Sequence, residues 1–273
     1  MTEQQPHVET PNGLASPNFV ETGDERNRRR IAFRRRFPAN STYPRPGVVW
    51  LGGFKSDMLS TKAQRVDDWA AAHGRASLRF DYSGHGESEG RFEDGTIGRW
   101  MEESLALIRG QTQGPQILVG SSMGGWIALL VARELERLGE ADRLAGMVLI
   151  APAVDFTQAL IWDKLPEPVQ RDILEQGFWM RPTAYAAQPY PITRALIEDG
   201  REHILLNDVV RSHCPVHILQ GMHDPDVPWE HALSLVHRLA GDPVALTLIK
   251  DADHRQSREE DIARLLMAVE GIA

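Results

Sequence analysis

The segment that most constrains the fold is an apolar run that ends in a serine between glycines. Residues 116–126 read Gln-Ile-Leu-Val-Gly-Ser-Ser-Met-Gly-Gly-Trp, and an alanine- and leucine-rich stretch continues to position 138. The pattern predicts a buried strand, a sharp turn with Ser122 at its tip, and a helix. Gly120 and Gly124 occupy the positions where a side chain would clash with the neighbouring strand and helix. Ser122 is therefore a candidate nucleophile.

Short apolar runs alternate with segments of helical periodicity along the rest of the chain. Strands are predicted at 48–51, 76–80, 117–119, 147–150, 216–219 and 245–249. Helices are predicted after a cap at Thr61 and over 97–108, 126–138, 229–239 and 258–269. This alternation is typical of one α/β domain whose mostly parallel sheet carries helices on both faces. A chain of 273 residues can bury the core of such a domain.

The N-terminal part differs in composition from the rest. Residues 1–24 are polar and contain prolines, which predicts a flexible tail rather than a signal peptide, followed by a globular domain over 25–273. Arginines cluster at 26, 28, 29, 30, 34, 35 and 36. We interpret this cluster as an edge strand whose charges oppose aggregation, with a nucleic-acid or anionic-lipid patch as the alternative.

The charge and the apolar runs limit the classes of partner. The formal net charge of -8 disfavours nucleic acid, because phosphate binding needs a basic surface. No apolar run approaches the roughly 20 residues of a membrane helix, so we expect no membrane span and a cytoplasmic protein. The single cysteine, Cys214, excludes an internal disulfide framework and is expected to be a small buried residue. We expect no cofactor and no metal.

The alternation is interrupted by a long segment between the strands at 147–150 and 216–219. Residues 152–206 exceed what a plain crossover requires, which predicts a helical cap insertion. Its aromatic residues are Phe156, Trp162, Phe178, Trp179, Tyr185 and Tyr190. These rings either line an acyl or aryl pocket or hold the insertion on the body. Trp162 and Trp179 are our candidate substrate-binding residues.

A serine nucleophile needs a base, because its hydroxyl is essentially un-ionised near neutrality. His254 lies in the loop after the last predicted strand, at the sheet edge where open α/β sheets bind ligands. A carboxylate on the other ring nitrogen would hold the useful tautomer, and Asp224 follows the preceding strand. Asp226 is the alternative acid, and either aspartate could instead be a turn residue beside proline. The order Ser122, Asp224, His254 is characteristic of α/β-hydrolases.

Four motifs extend the resemblance to the α/β-hydrolase superfamily from about residue 28 to the end. They are Gly-Ser-Ser-Met-Gly-Gly-Trp, Asp-Tyr-Ser-Gly-His-Gly, Gly-Met-His-Asp-Pro-Asp-Val-Pro-Trp and Asp-Ala-Asp-His-Arg. Residues 51–58 (Leu-Gly-Gly-Phe-Lys-Ser-Asp-Met) and the long cap are similar to the family of the mitochondrial acyl-glucuronide esterase, also described as a palmitoyl-protein thioesterase, and its bacterial relatives. The resemblance implies the α/β-hydrolase fold, with a mostly parallel sheet flanked by helices and a helical cap.

The resemblance also implies roles for individual residues. The family places its acid three residues after the glycine of Gly-x-x-Asp-x-x-Val-Pro, which is Asp224. The oxyanion hole would use the backbone N–H groups of Met123 and Phe54, although Gly52 stands where many superfamily members carry histidine. Residues 84–88, Gly-His-Gly-Glu-Ser, would form a structural turn rather than a dinucleotide-binding loop.

The function implied by these motifs is serine hydrolysis of carboxylic esters or thioesters through a covalent acyl-enzyme. The substrates would be small acyl compounds or an acylated protein. Medium or long acyl groups are expected over acetyl, because each buried methylene contributes roughly 0.8 kcal/mol. A perhydrolase-like enzyme or a non-catalytic binding member of the same fold remains an alternative.

Overall fold

The fold is built on an eight-stranded sheet with the strand order β1-β2-β4-β3-β5-β6-β9-β10. The computed structural model describes residues 16–39, 45–183, 188–241 and 243–273. The strands of this sheet are β1 (Asn18–Thr22), β2 (Arg29–Arg36), β3 (Gly47–Leu51), β4 (Ser77–Phe80), β5 (Gln116–Ser121), β6 (Leu144–Ile150), β9 (Val216–Gly221) and β10 (Val244–Ile249). The first three strands in this order pair antiparallel and all later neighbours pair parallel, which confirms the mostly parallel sheet.

Helices cover both faces of the sheet. They are α1 (Thr61–Ala72), α2 (Ile97–Gln111), α3 (Met123–Arg137), α4 (Glu167–Gln176), α5 (Arg194–Arg201), α6 (Trp229–Arg238) and α7 (Glu259–Ile272). Helices α1 and α7 pack on one face, where Val66 and Leu265 belong to one core cluster. Helices α2, α3 and α6 pack on the other face around the fully buried Trp100 and Trp126. None of the helices in the described ranges is long and apolar enough to cross a bilayer.

Two expectations for the N-terminal part are wrong. The predicted flexible tail extends too far, because Asn18–Thr22 pairs with β2 and the Arg30 guanidinium lies 3.9 Å from the Phe19 ring centroid. Residues 1–15 lie outside the described ranges. The arginine-rich segment is a strand, β2, but it is not the edge strand, because β1 covers it.

The β2 arginines lie beside acidic side chains from other parts of the body. Arg29 contacts Glu103 at 2.9 Å, Arg30 contacts Glu89 at 2.9 Å and Arg36 contacts Asp67 at 3.0 Å. Arg34 pairs with Glu87. Four arginines of the cluster thus form ion pairs within the fold.

The start of α1 also differs from the prediction. Thr61 is the first helical residue, and Ser60 occupies the N-cap position without a side-chain capping hydrogen bond. The predicted cap, Thr61, is therefore one residue C-terminal to the observed N-cap, Ser60.

The insertion between β6 and β9 contains more than helices. Its elements are a π-helical turn (Thr157–Ile161), α4, a hairpin of β7 (Phe178–Arg181) and β8 (Tyr190–Thr193), and α5. The Asp155 carboxylate accepts the N–H groups of Leu205 and Leu206 at 2.9 and 2.8 Å, which joins the two ends of the insertion. The helical cap is therefore a mixed element with a small antiparallel hairpin, closed at its base.

Candidate active site

The glycines around Ser122 allow two backbone segments to approach closely. A β-carbon on Gly120 would collide with the carbonyl of Gly124, and one on Gly124 would collide with the carbonyl of Leu51. Ser122 has φ 54° and ψ -117°, a strained conformation for a non-glycine residue. Its N–H donates to the Ile150 carbonyl at 2.8 Å, which helps to hold that conformation. The turn presents the Ser122 side chain at the N-terminus of α3.

His254 lies between Ser122 and Asp224. Its Nε2 is 3.0 Å from Ser122 Oγ, and its Nδ1 is 2.7 Å from Asp224 Oδ2. A carboxylate oxygen accepts, so Nδ1 carries the proton and the Nε2 lone pair faces the serine hydroxyl. Side chains separated by 132 and 30 residues in sequence thus meet at the carboxyl edge of the sheet. This arrangement is suited to removing a proton from Ser122.

The Asp224 carboxylate accepts hydrogen bonds from three groups besides His254. Its Oδ1 accepts the N–H groups of Asp226 and Val227, both at 2.9 Å, and Gln220 Nε2 donates to Oδ2 at 3.3 Å. The Asp224 side chain is fully buried. The Asp226 carboxylate instead forms an ion pair with Arg181 of β7 at 3.5 Å. Gln220 was not predicted, although a polar residue at the end of a buried strand was a usable signal.

A lysine from α1 supports the loop that carries His254. Lys62 Nζ donates to the carbonyl of Arg255, the residue after the histidine. Burial lowers the pKa of Lys62 to about 8, against the opposing effect of Asp253 and Asp261. The bond ties the histidine loop to a helix on the opposite face of the sheet from α3.

The two predicted oxyanion donors, Met123 and Phe54, belong to segments that lie close to the nucleophile. Met123 is the first residue of α3, and the first N–H groups of a helix have no partner within it. A β-carbon on Gly53 would be 3.2 Å from the Ser121 carbonyl oxygen and 3.4 Å from Ser122 Cβ, so the loop leading to Phe54 touches the serine turn. Phe54 and Met123 both line the cavity above Ser122.

This cavity has a volume of about 120 Å³. Its walls come from the body and from the insertion, and they are mainly apolar. The lining residues are Phe54, Ser122, Met123, Ala153, Phe156, Leu160, Ile161, Arg181, Tyr190, Asp226, Val227 and His254. Arg181 and Asp226 are the charged ion pair in this wall, beside the polar side chains of Ser122, Tyr190 and His254. The aromatic insertion thus contributes to the pocket, in agreement with one of the two interpretations of its composition.

Trp162 and Trp179, the predicted substrate-binding residues, are not among the residues that line this cavity. Trp179 pairs with Ile192 in the hairpin, two positions along β7 from Arg181, which does line it. Trp162 lies against the Arg201 guanidinium, 4.8 Å from its ring centroid. Both indoles are partly buried and pack against the hydrophobic core. Tyr185 lies outside the described residues.

One grouping of side chains has the composition of a metal site. Ligand atoms of Asp224, Asp226 and His254 lie within 4.8 Å of one another. The hydrogen bond between His254 Nδ1 and Asp224 Oδ2 already explains why two of these side chains converge.

Comparison with known proteins shows the family to which the chain belongs. A family profile described as "Alpha/beta hydrolase family" matches residues 48–265. The chain belongs to this family. It is therefore a hydrolase by family, with the α/β-hydrolase fold that the motifs predicted.

Curated relatives narrow the similarity within the family. The chain is 34% identical over 230 residues to the bovine "Palmitoyl-protein thioesterase ABHD10, mitochondrial", covering 83% of this chain and 72% of the bovine one. The human protein of the same name is 32% identical over 228 residues, with the same coverage. The cytoplasmic location expected from composition is contradicted by these relatives, because their names assign them to mitochondria.

Solved structures show the same fold. A crystal structure of an Agrobacterium vitis protein has a TM-score of 0.90 and 47% identity, covering 94% of this chain and 98% of that one. The mouse alpha/beta hydrolase domain-containing protein 10 has a TM-score of 0.81 and 30% identity, covering 93% and 98%. The predicted resemblance to the thioesterase group is thereby confirmed.

Proposed function

We propose that this hydrolase cleaves carboxylic esters or thioesters through a Ser122–His254–Asp224 triad and a covalent acyl-enzyme. The observation that carries the proposal is the continuous pair of hydrogen bonds from Asp224 through His254 to Ser122, at 2.7 and 3.0 Å. The arrangement meets the geometric requirement of nucleophile, base and orienting group within hydrogen-bond reach.

The reaction follows from the roles of these atoms. His254 Nε2 takes the proton of Ser122 as Oγ attacks the acyl carbonyl, and Asp224 stabilises the imidazolium through Nδ1. The N–H groups of Met123 and Phe54 stabilise the tetrahedral oxyanion. His254 then protonates the leaving alcohol or thiol, and water repeats the cycle on the acyl-enzyme to release the acid and restore Ser122.

Two observations support an acyl substrate. The cavity is lined mainly by apolar side chains such as Phe156, Leu160 and Ile161, which favour an alkyl or aryl group. The relatives from several mammals are named palmitoyl-protein thioesterases. We propose that the natural substrates are esters or thioesters of medium or long acyl groups, on a small molecule or on a protein.

Labelling with a fluorophosphonate probe tests the nucleophile directly. The purified protein is expected to gain one adduct, located by mass spectrometry on Ser122, and Ser122→Ala is expected to abolish it. Ser121→Ala is the matched control, because Ser121 ends β5 inside the sheet, and it is expected to keep the adduct. An unlabelled wild-type protein, with no hydrolysis of p-nitrophenyl or S-acyl esters, would identify a non-catalytic member of the fold.

A further inference from the structure

The turn formed by residues 84–88 contacts the loop that carries Phe54, and the proposed reaction leaves it without a role. His85 is buried at the tip of this turn, between Gly84 (φ 73°) and Gly86 (φ 45°). A β-carbon on Gly84 would collide with the Phe92 backbone, and one on Gly86 with the Asp81 carboxylate. Glycines are thus required on both sides to bring this imidazole inside the fold.

The hydrogen bonds of His85 determine its tautomer. Nδ1 is 3.2 Å from the Ser83 carbonyl, which only accepts, and Nε2 is 3.1 Å from the Lys55 N–H, which only donates. His85 is therefore neutral, with its proton on Nδ1. Burial lowers its pKa to about 4, which agrees with this assignment. The Nε2 lone pair remains an acceptor for Lys55 throughout the neutral range.

The residue bonded to His85 lies in a strained turn. Ser56 N–H donates to the Gly53 carbonyl at 3.0 Å, which closes a β-turn over residues 53–56. Lys55 is the third residue of this turn, with φ 62°, in a position that usually takes glycine or asparagine. Without an acceptor for the Lys55 N–H, rotation of the Phe54–Lys55 peptide would relieve this strain and shift the Phe54 backbone.

The same turn sets the direction of the Phe54 N–H. Gly53 C=O and Phe54 N–H share one planar trans peptide and point in opposite directions. The bond that holds the Gly53 carbonyl therefore also orients this N–H. A second contact joins the two segments, because Asp81 accepts the N–H groups of Met58 at 2.6 Å and Glu87 at 2.8 Å.

We propose that His85 is a positioning residue for the oxyanion hole: by accepting the Lys55 N–H, its Nε2 keeps the 53–56 turn in the conformation that aims the Phe54 N–H at the reacting carbonyl oxygen. This inference rests on the proposed serine-hydrolase function. It assigns a use to the Gly-His-Gly segment, whose imidazole does not line the cavity.

Two polar substitutions of different reach test this role. In His85→Gln the amide oxygen can stand near the position of Nε2 and accept from Lys55. In His85→Asn the shorter amide can reach the Ser83 carbonyl but not Lys55. We expect His85→Gln to keep kcat for p-nitrophenyl butyrate within about threefold, and His85→Asn to lose about ten- to a hundredfold, less than the roughly hundred- to thousandfold lost on removing a donor outright.

Further measurements separate positioning from a general structural role. The KM of His85→Asn should stay within about threefold of wild type, whereas its affinity for a trifluoromethyl ketone, which forms a tetrahedral adduct, should fall in parallel with kcat. Adding Lys55→Gly should recover part of the loss, because glycine tolerates the left-handed conformation. His217→Leu is the control, since His217 contacts Thr247 away from the cavity, and its kinetics should not change.

The outcomes distinguish this inference from the proposed function. Equal kcat in the Gln and Asn variants, or a loss in His85→Asn that Lys55→Gly does not reduce, would overturn the role of His85 while Ser122-dependent hydrolysis stands. If His85→Asn does not fold, His85→Met replaces it, with the same loss of kcat and the same recovery expected. A wild-type protein without Ser122-dependent hydrolysis would instead refute the proposed function.

Discussion

The body and the insertion contribute to the same cavity in different ways. Ser122, Asp224 and His254 follow strands of the body, and Asp224 alone accepts two backbone N–H groups in addition to its contact with His254. The insertion contributes mainly apolar contacts, from residues such as Phe156 and Leu160. Hydrogen-bonded backbone fixes atoms to within a narrow range, whereas apolar packing tolerates changes of shape. The difference suggests that the body determines whether reaction occurs and the insertion determines which acyl group reacts.

The largest expected effect is on the base in the body. His254→Ala should lower kcat/KM by at least about ten-thousandfold, because the members of a triad act as a unit. The measurement is hydrolysis of p-nitrophenyl butyrate at neutral pH, with KM determined separately. If His254→Ala kept more than a tenth of wild-type activity, the body would not determine whether reaction occurs. The same would follow if a variant of the insertion lost as much activity as His254→Ala.

The second prediction separates the two aspartates. In Asp224→Asn, Oδ1 keeps its backbone donors, so the amide NH₂ takes the place of Oδ2 and faces both the His254 Nδ1–H and Gln220 Nε2. An amide NH₂ and the Nδ1–H group are both donors, so His254 would carry its proton on Nε2 instead and could not accept the proton of Ser122. Turnover should therefore fall by about a thousandfold or more. Asp226→Asn, which removes the charge that pairs with Arg181, should cost less than about tenfold.

The control for the aspartate pair is the melting temperature of each variant. Both substitutions conserve volume and both variants should fold, but Asp224→Asn should show the larger decrease, because its buried amide faces two donors. Equal and modest losses of kcat in the two variants would show that neither carboxylate orients His254.

The third prediction uses the buried His85 of the body. Burial lowers its pKa from 6.5 to about 4, so the unfolded chain binds more protons than the folded one between these values. The contribution of neutral His85 to the free energy of unfolding is fully present above pH 6.5. It is lost as the pH falls towards 4. At about 1.4 kcal/mol for each pKa unit, the loss is on the order of 3 kcal/mol.

Urea unfolding of the wild type and of His85→Gln between pH 7 and pH 4 measures this effect. The wild type should lose stability relative to the variant as the pH falls, because glutamine does not titrate. Since the variant retains every other titrating group, including His231, whose pKa burial also lowers, those groups cancel in the difference. A constant difference across this range would show that His85 does not resist protonation.

The smallest expected effect lies in the insertion. Phe156 lines the cavity and packs against Phe54 with ring centroids 5.6 Å apart, whereas Trp179 does not line it. Phe156→Ala should lower the ratio of kcat/KM for p-nitrophenyl hexanoate over acetate by several-fold, up to about tenfold, because one apolar wall is removed. Trp179→Ala should reduce stability and leave this ratio unchanged. A larger change of the ratio in Trp179→Ala would mean that the indole reaches the acyl chain.

Local sequence signals were sufficient to predict the nucleophile turn and the loops that carry the other two triad residues. The glycines at 120 and 124 specify a turn in which only glycine fits, and the alternation of strands and helices places Asp224 and His254 after their strands. Parallel strands end at one edge of the sheet, so the order of these loops along the chain was enough to predict that they meet. Thr61 shows the limit of such signals, because the helix boundary is displaced by one residue.

The side chains that line the cavity and the pairing of distant segments depend on packing, which local sequence does not encode. Composition could not distinguish Phe156 and Tyr190 from Trp162 and Trp179, because the way the insertion packs on the body selects the rings that line the cavity. The pairing of Asn18–Thr22 with β2 is likewise a contact between two short segments of mixed polar and apolar residues, which local periodicity does not mark. The contact of His85 with Lys55 joins residues 30 positions apart, and it depends on two turns that only the packed fold brings together.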